Sequence, residues 1–256
     1  TTGCWLPLAV LAAWRWLEHR STPWLFGLAL VLGIQCLAGH FQVAWMTIVS
    51  LVLLALGWMF LSENRLGRLP QLGWLFLAVA GGLALAAIQL VPSAELAVVG
   101  DPRGRGPAFL SSFSTPPWHL LTGYLAPFLL HHDPLWTDIA WTPWRSSPGE
   151  SLPYVGLLSL GLATLTIRIA YRDTRVRLWT ALLLISLVLS LGRFVPGFDH
   201  LADIPGFGWF PAPGRWCLVS GLCWALLAGD ALERLDTERL AAWCQGFSLC
   251  GLLLLG

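Results

Sequence analysis

The sequence has few charged residues, which make up 11% of its 256 positions, whereas an average soluble domain has about 25%. Hydrophobic residues make up 56% of the chain, and the mean hydropathy is +0.68. This composition excludes an ordinary soluble domain. It indicates an integral membrane protein of the all-α class, a polytopic bundle of transmembrane helices.

Lysine is absent, since all 15 basic residues are arginine, and 14 acidic residues leave a net charge of +1. A domain that binds nucleic acid usually presents a strong basic patch or a high isoelectric point. The charge balance therefore excludes nucleic acid as an expected partner. Membrane lipids are the partners that this composition favours.

No cysteine framework stands out, because all six cysteines fall within apolar segments, where free cysteine behaves as a small hydrophobe. The group His131-His132-Asp133 consists of possible metal ligands. Adjacent residues rarely converge on one ion without a third ligand elsewhere. We expect a polar helix exit there, with a metal cluster as the less favoured alternative, and no cofactor is evident.

Eight apolar segments can cross a bilayer, which needs about 20 apolar residues for each helix, once the segments at the two ends are allowed to be short. The chain starts Thr-Thr-Gly and stops inside an apolar run, so we expect it to be a piece of a longer protein. The sequence predicts one transmembrane domain fragment over 1–256. Its spans are placed near 3–17, 24–38, 41–61, 73–91, 152–170, 178–192, 216–229 and 243–256.

The arginines predict the orientation of these spans, because Lys and Arg are retained in cytoplasmic loops. The side with more arginines is then cytoplasmic, and the long loops 92–151 and 193–215 lie outside. We expect a multi-pass protein of the cytoplasmic (inner) membrane whose inner connections are solvated linkers. The arginines on the outer side are Arg103, Arg105, Arg145, Arg193 and Arg215.

His40 and Gln42 are polar residues within the otherwise apolar stretch from Trp24 to Leu61. Gly39 and His40 fall where the second span emerges and the third turns back, and glycine supplies the backbone freedom of a tight turn. We expect a polar hairpin tip from which both side chains reach water, headgroups or loop backbone. A ligand-facing role is the alternative.

The first outer loop contains a predicted interfacial helix over 116–130. A cap signal at Ser114-Thr115 and proline in the first turn mark its beginning. At about 15 residues it is too short to span, so we expect it to lie along the outer membrane surface, with His119 free to face either way. The residues expected against the acyl chains are Leu120, Leu121 and Phe128.

Three outer arginines are candidates for binding an anionic headgroup or phosphate through charge-assisted hydrogen bonds. Arg103 and Arg105 follow Asp101 in the first loop, and an ordinary charged turn is their alternative. Arg215 ends a second loop dense in Gly, Pro and aromatic residues, at the mouth of a span. Its alternative is to snorkel to the membrane interface.

Seven short pieces of the sequence follow one another in an order that carries a resemblance. They are WLPL at 5–8, QCLAGHFQ at 35–42, QLVPSAEL at 89–96, FSTPPWHLL at 113–121, YVGLLSLGLA at 154–163, LGRFVP at 191–196 and PGFGWFPAPGRW at 205–216. In this order and spacing they resemble YfhO-type bacterial multi-pass membrane proteins of the GT-C glycosyltransferase superfamily.

The resemblance implies an enzyme that uses a polyprenyl-phosphate-linked sugar as donor on the outer side of the membrane. It implies a polar cavity at which Arg215, with Arg103 or Arg105, meets the donor phosphate, with His40 and Gln42 nearby.

Two departures from the family pattern matter. Similar proteins usually have Arg where Pro211 stands. The superfamily also keeps its catalytic Asp or Glu in the first outer loop, and we expect this chain to begin several spans later. The catalytic residue is therefore not identified.

A non-catalytic transmembrane scaffold, or an accessory subunit of a larger complex, is the alternative function. Sixteen tryptophans suit packing against other membrane protein subunits or lipid, since tryptophan gathers at membrane interfaces. An acidic residue in an outer loop before Thr1 would favour the enzyme. The predicted spans contain no carboxylate, which disfavours an ion-coupled transporter.

Overall fold

The structure, a computed structural model, describes residues 2–61, 65–100, 106–127, 153–204 and 206–234. Within these ranges every regular element is a helix, which confirms the predicted all-α class. The chain divides into two compact units. The first unit is Thr1–Leu110 with Asp199–Phe210, and the second unit is Ser111–Phe198 with Pro211–Gly256.

The helices of the first unit follow one another with short connections. They are α1 (Trp5–His19), α2 (Thr22–Leu37), α3 (Phe41–Phe60), α4 (Leu69–Leu85), α5 (Ala87–Val99) and α6 (Pro107–Leu110). Short 3-10 turns precede α1 at Thr2–Cys4 and α4 at Leu66–Arg68, and others cover Phe198–Asp203 and Phe207–Trp209 in the second loop.

The second unit contains α7 (Pro117–Leu125), α8 (Leu157–Ala170), α9 (Thr174–Leu191) and α10 (Cys217–Arg234). Gly192–Phe194 continues α9 as a 3-10 turn, and Pro213–Trp216 leads into α10 in the same way. Val155, just before α8, lies beside Gly221 in the first turns of α10. The α8–α9 turn lies beside the last turn of α10. Helices α8 and α10 therefore run parallel and pack directly against each other, and α9 runs antiparallel to both.

Four helical stretches in the described part of the chain are long and apolar enough to cross a membrane. They are Phe41–Phe60, Leu66–Leu85, Thr174–Phe194 and Pro213–Arg234. Helices α2, α5 and α8 are apolar but shorter. The chain is thus a helical membrane protein by this measure, whereas the eight predicted spans are not confirmed. The predicted span 243–256 lies outside the described residues.

The predicted fourth span, 73–91, is interrupted. Helix α4 ends at Leu85, and Ala86 has backbone angles of φ −89° and ψ 3°, outside the helical region. Helix α5 then begins at Ala87 and contains Pro92. The sequence does not show this break, because the composition of the apolar run does not change at Ala86.

Polar side chains fix which helix ends lie together in the first unit. The Gln35 amide nitrogen donates to the Thr2 carbonyl at 3.2 Å and to Thr47 Oγ1 at 2.9 Å. The Trp16 indole N–H donates to the Gln71 carbonyl at 3.1 Å. The start of α1 therefore lies at the α2–α3 hairpin tip, and the end of α1 lies at the start of α4. Helices α2 and α4 consequently run parallel.

Glycine allows α2 and α4 to approach closely. A Cβ on Gly82 would lie 2.8 Å from the Ala29 carbonyl oxygen and 2.8 Å from Leu32 Cβ. One residue earlier, a Cβ on Gly81 would meet Ala29 Cβ at 3.6 Å, an ordinary contact. The closest approach of the two helices therefore depends on Gly82.

Gly82→Ala is expected to destabilise the first unit by about 1–3 kcal/mol, because a backbone carbonyl cannot move aside as a side chain can. Gly81→Ala is the matched control and should be neutral or slightly stabilising. Thermal unfolding midpoints of the two variants in detergent measure the difference. Equal midpoints of the two variants would show that α2 and α4 can move apart at Gly82 without loss of stability.

A charge clamp joins the α8–α9 turn to the end of α10. Arg234 pairs with Asp230 one turn before it on α10 and with Asp173 Oδ2 at 2.6 Å. Asp173 caps α9 by accepting the Arg175 backbone N–H at 2.8 Å. Asp230 is only 6% exposed, and its charge is compensated by Arg234 and by Arg175 at 3.9 Å. The α8–α9 connection therefore forms ion pairs with the end of α10, although the Asp173, Arg175 and Arg234 side chains stay partly exposed to solvent, as predicted for a solvated linker.

The clamp also bears on the predicted span 216–229, which ends one residue before Asp230. Helix α10 continues to Arg234. A carboxylate can stay in a buried helical turn when an arginine four residues later neutralises it. The helix is therefore about one turn longer than the predicted span, and the added turn carries Asp230.

The pKa of Asp173 is lowered. Burial raises it, but hydrogen bonds from the Arg234 side chain and the Arg175 backbone, with the charge of Arg234, outweigh that effect. A carboxylate with a lower pKa in the folded state stabilises the fold above its unfolded pKa. This contribution is lost as the pH falls through the folded pKa.

Asp173→Asn is therefore expected to lower the unfolding midpoint at pH 7, and its effect should shrink as the pH falls through the lowered pKa of the folded wild type, where that carboxylate becomes protonated. Unfolding midpoints measured from pH 7 downwards test this. Asp203→Asn, at an exposed carboxylate of the second loop, is the control. A difference between wild type and Asp173→Asn that stays constant with pH would contradict the assignment.

Candidate functional site

Three segments that are distant in sequence meet in the second unit, and we call their meeting point the junction: residues 111–116, 190–193 and 211–215. The Thr115 N–H donates to the Ser190 carbonyl at 2.9 Å. The Ala212 N–H donates to the Ser112 carbonyl at 3.0 Å, and the Gly214 N–H donates to the Phe113 carbonyl at 3.2 Å. Part of the first outer loop is therefore bonded to both ends of the second loop, as expected if the two loops share one side.

Ser114 is the centre of the junction. It is fully buried, its hydroxyl donates to the Ser111 carbonyl at 2.6 Å, and its Oγ accepts the Arg193 backbone N–H at 3.0 Å. Gly192 is required beside it, since a Cβ there would lie 2.0 Å from Ser114 Oγ and its φ is +52°. Ser114 thus holds the backbone next to Arg193 in place.

This role corrects the predicted helix cap at Ser114-Thr115. Helix α7 begins at Pro117, its N-cap is Pro116, and it has no side-chain cap hydrogen bond. Pro116 and Pro117 have no amide hydrogen, so fewer backbone N–H groups at the start of α7 need a capping hydroxyl. The serine hydroxyl is used between segments instead.

Two non-glycine residues at the junction have left-handed backbone: Phe113 with φ +56° and Ala212 with φ +62°. This conformation is unfavourable for residues with a Cβ and persists only where surrounding structure imposes it. The hydrogen bonds described above hold both residues. Backbone strain of this kind is common at functional sites. The junction is therefore a candidate functional site.

Two arginines adjoin the junction. Arg193 is exposed, and its guanidinium lies over the Phe194 ring at 5.1 Å from the centroid. Arg215 is half-buried in the 3-10 turn that leads into α10. The positive end of the α10 dipole begins two residues after Arg215. Two cations and a helix N-terminus at one end of a helical unit form an arrangement suited to an anion.

Helix α7 presents an apolar face beside the junction. Trp118, Leu121 and Leu125 are exposed at helical spacing, and the Trp118 ring meets the Phe194 ring edge-on at 5.8 Å. The predicted interfacial helix over 116–130 is thus present as a nine-residue helix, with Leu120 half-buried. Phe128 lies outside the described residues, and the orientation to the membrane stays a prediction.

The opposite face of α7 is buried in the second unit. His119 is 2% exposed, which settles the direction that the sequence left open. The Tyr124 hydroxyl lies 3.0 Å from Ser220 Oγ on α10. Burial raises the pKa of Tyr124 to about 12 despite that hydrogen bond. Tyr124 therefore acts as a neutral anchor that joins α7 to α10.

His40 and Gln42 lie at the predicted hairpin tip in the first unit. Helix α2 ends at Leu37, Gly39 has φ +84°, and α3 begins at Phe41. His40 is half-buried with its Nδ1 enclosed and without a hydrogen-bond partner, and Gln42 is only 6% exposed. The tip is confirmed, but Gln42 does not project into water, because the first turn of α3 is packed.

Several predicted site residues lie outside the described part of the chain. Arg103 and Arg105, the group 131–133 and Arg145 fall there. Arg215 belongs to the second unit, and His40 and Gln42 belong to the first. A shared cavity for these residues stays a prediction. Among the described residues, no three His, Cys, Asp or Glu side chains are grouped as metal ligands.

No protein-family model, curated protein or solved structure matches the chain. The resemblance to YfhO-type proteins therefore stays a prediction that rests on the seven pieces. Sequence reasoning named Arg215 as a site residue but not Arg193 or Ser114. The LGRFVP piece was the available signal for Arg193, because it is one of the pieces that carry the resemblance.

Ser114→Ala is expected to destabilise the second unit by about 1–3 kcal/mol, because the part-buried Arg193 N–H loses its acceptor on the buried Ser114 side chain. Ser111→Ala is the control, since Ser111 takes part through its carbonyl, which alanine keeps. Hydrogen exchange of the Arg193 amide, together with the unfolding midpoint, measures the effect. Unchanged protection at Arg193 would contradict the role given to Ser114.

Proposed function

We propose that the chain is part of a membrane glycosyltransferase-like protein that uses a polyprenyl-phosphate-linked sugar on the outer side of the cytoplasmic membrane. The observation that supports this most is the junction. The pieces FSTPPWHLL, LGRFVP and PGFGWFPAPGRW carry much of the resemblance, and they are joined there by backbone hydrogen bonds and by the bond from the Arg193 N–H to Ser114 Oγ. Arg193 and Arg215 stand beside those bonds.

Arg215 and Arg193 take the donor phosphate in this proposal. Arginine suits a phosphodiester because its planar guanidinium donates two parallel hydrogen bonds. Half-burial of Arg215 strengthens such bonds, since fewer waters compete for the phosphate oxygens. The first amides of α10 add partial positive charge at the same end.

The apolar face of α7 takes the first part of the prenyl chain. Trp118, Leu121 and Leu125 are exposed. Of these, Trp118 meets the Phe194 ring, over which the Arg193 guanidinium lies. A lipid phosphate needs an apolar surface next to its cations. The two surfaces adjoin in the second unit, which favours a lipid-linked phosphate over a free one.

The described residues serve donor binding in this proposal, and the general base is placed elsewhere. A glycosyl transfer needs a carboxylate that takes the proton of the acceptor hydroxyl. The resemblance puts that carboxylate in an outer loop ahead of Thr1. A non-catalytic scaffold requires no sugar donor at the junction. Binding of the sugar donor therefore distinguishes the enzyme from the scaffold.

Arg215→Ala is expected to weaken binding of a polyprenyl phosphate by about ten- to a hundred-fold, because charge-assisted hydrogen bonds to the phosphate are lost. Arg193→Ala should have a smaller effect, since Arg193 is exposed to water. The purified protein in nanodiscs is titrated with polyprenyl phosphate. The rise of its unfolding midpoint with the concentration of polyprenyl phosphate measures the affinity of each variant.

Two controls accompany this titration. Polyprenol, which has the same chain without the phosphate, should bind far more weakly than polyprenyl phosphate. Arg172→Ala removes an exposed arginine at the other end of α8 and α9 and should leave binding unchanged. Equal binding of polyprenol and polyprenyl phosphate, or full binding by Arg215→Ala, would refute the donor site and favour the scaffold alternative.

A further inference from the structure

The apolar face of α7 runs along the whole helix. Trp118, Leu121 and Leu125 are all exposed, and their spacing of three and then four residues places them in one row on the helix surface. His119 and Tyr124 are buried on the other side of α7. The apolar face therefore extends without a break from the first turn of α7 to its last residue.

The polar residue next to this row does not interrupt it. Thr122 lies one turn after Trp118, and its hydroxyl donates to the Trp118 carbonyl at 2.7 Å. That hydroxyl hydrogen is used within the helix, as is usual for threonine in apolar surroundings. The face consequently offers a lipid chain an apolar surface along its length.

Both ends of α7 are tied to the rest of the second unit. Just before the helix, the Thr115 N–H donates to the Ser190 carbonyl at 2.9 Å. In the last turn, the Tyr124 hydroxyl lies 3.0 Å from Ser220 Oγ. The apolar face is thus held in place before a ligand arrives, which lowers the entropy cost of binding.

One end of the apolar face is cationic. The Trp118 ring meets the Phe194 ring at 5.8 Å, and the Arg193 guanidinium lies over the same Phe194 ring at 5.1 Å. Leu125 lies at the opposite end, where Ala126 leaves the helical conformation with φ −146° and ψ 64°. A lipid with its phosphate at the cationic end therefore runs its chain from Trp118 towards Leu125.

The length of this face corresponds to a small number of isoprene units. A nine-residue helix is about 13 Å long at about 1.5 Å per residue. Three bonds of an extended backbone advance about 3.4 Å, so the four main-chain bonds of one isoprene unit advance about 4.5 Å. Along the axis, Leu121 lies about 4.5 Å beyond Trp118, and Leu125 lies about 6 Å beyond Leu121. Each exposed side chain thus corresponds to about one isoprene unit.

We propose that α7 recognises the first three isoprene units of the lipid donor, one each at Trp118, Leu121 and Leu125, and that later units do not contact the helix. This inference rests on the donor function proposed above and specifies how much of the prenyl chain the protein binds. A prenyl phosphate with three isoprene units is then a sufficient ligand.

The branching of the chain contributes to this recognition. A methyl group on every fourth main-chain carbon recurs at about the spacing of the three side chains. A prenyl chain therefore fills the gaps between them better than a straight alkyl chain, and gains more van der Waals contact.

The test uses prenyl monophosphates with one, two, three and four isoprene units, and the purified full chain in nanodiscs of phosphatidylcholine. The rise of the unfolding midpoint with ligand concentration gives each affinity. A variant is compared with wild type for the same ligand, so partitioning of the ligand into the bilayer cancels. Leu121→Ala is expected to weaken binding about three- to five-fold from two units onwards, and Leu125→Ala from three units onwards.

Two controls make this pattern specific. Leu232→Ala removes an exposed leucine at the far end of α10 and should affect none of the ligands. A straight-chain alkyl phosphate with as many carbons as the three-unit ligand should bind wild type about three-fold more weakly, after correction for partitioning. The fourth isoprene unit should not increase the effect of either α7 variant.

Effects of Leu121→Ala and Leu125→Ala that are the same for all four ligands, or absent from all of them, would overturn the inference. Equal binding of the alkyl phosphate would show a surface for any lipid phosphate, and the prenyl assignment would be wrong. Arg215→Ala keeps these outcomes apart from the donor site itself, because it should weaken all four ligands by the same factor. If Arg215→Ala has no effect while the stepwise pattern persists, the phosphate site is wrong and the chain-binding face stands.

Discussion

Buried irregular backbone must satisfy its hydrogen bonds within the protein, because an unpaired buried amide or carbonyl costs free energy. The junction meets this constraint by bonding the amides of Thr115, Ala212 and Gly214 to carbonyls of other segments, and the amide of Arg193 to Ser114 Oγ. The left-handed backbone of Phe113 and Ala212 follows from those bonds. The positions of Arg193 and Arg215 follow in turn, since each arginine lies next to a residue held in this way.

Apolar length was enough to predict most helices. Helices α1, α2, α3, α9 and α10 begin and end within a few residues of the predicted segments, because a run of apolar residues bounded by charges has few other solutions in a membrane. The break at Ala86 and the extra turn of α10 were missed for a different reason. The end of α10 is held by Asp173, which is distant from Arg234 in sequence, and Ala86 packs against Cys36 and Ala44 of other helices.

The site could be predicted only in part. Arg215 stood out because it follows a loop rich in Gly and Pro, and the hairpin tip stood out because His40 and Gln42 interrupt an apolar run. Ser114 resembled a helix cap, and a local pattern cannot show that its hydroxyl accepts from Arg193, 79 residues later. Positive φ at Phe113 and Ala212 has no sequence signal, since neither residue is glycine or asparagine.

The clamp at Arg234 gives α10 a fixed end. Carboxylates of α10 itself and of the α8–α9 turn hold that arginine, whereas the other end of the helix carries Arg215. An 18-residue helix is about 27 Å long at 1.5 Å per residue. A tilt of about 5° around the clamped end therefore moves the other end by about 2 Å, which is enough to make or break a hydrogen bond. The hydrogen bonds of the Ala212 and Gly214 amides oppose such a tilt at the other end, so α10 is held at both of its ends.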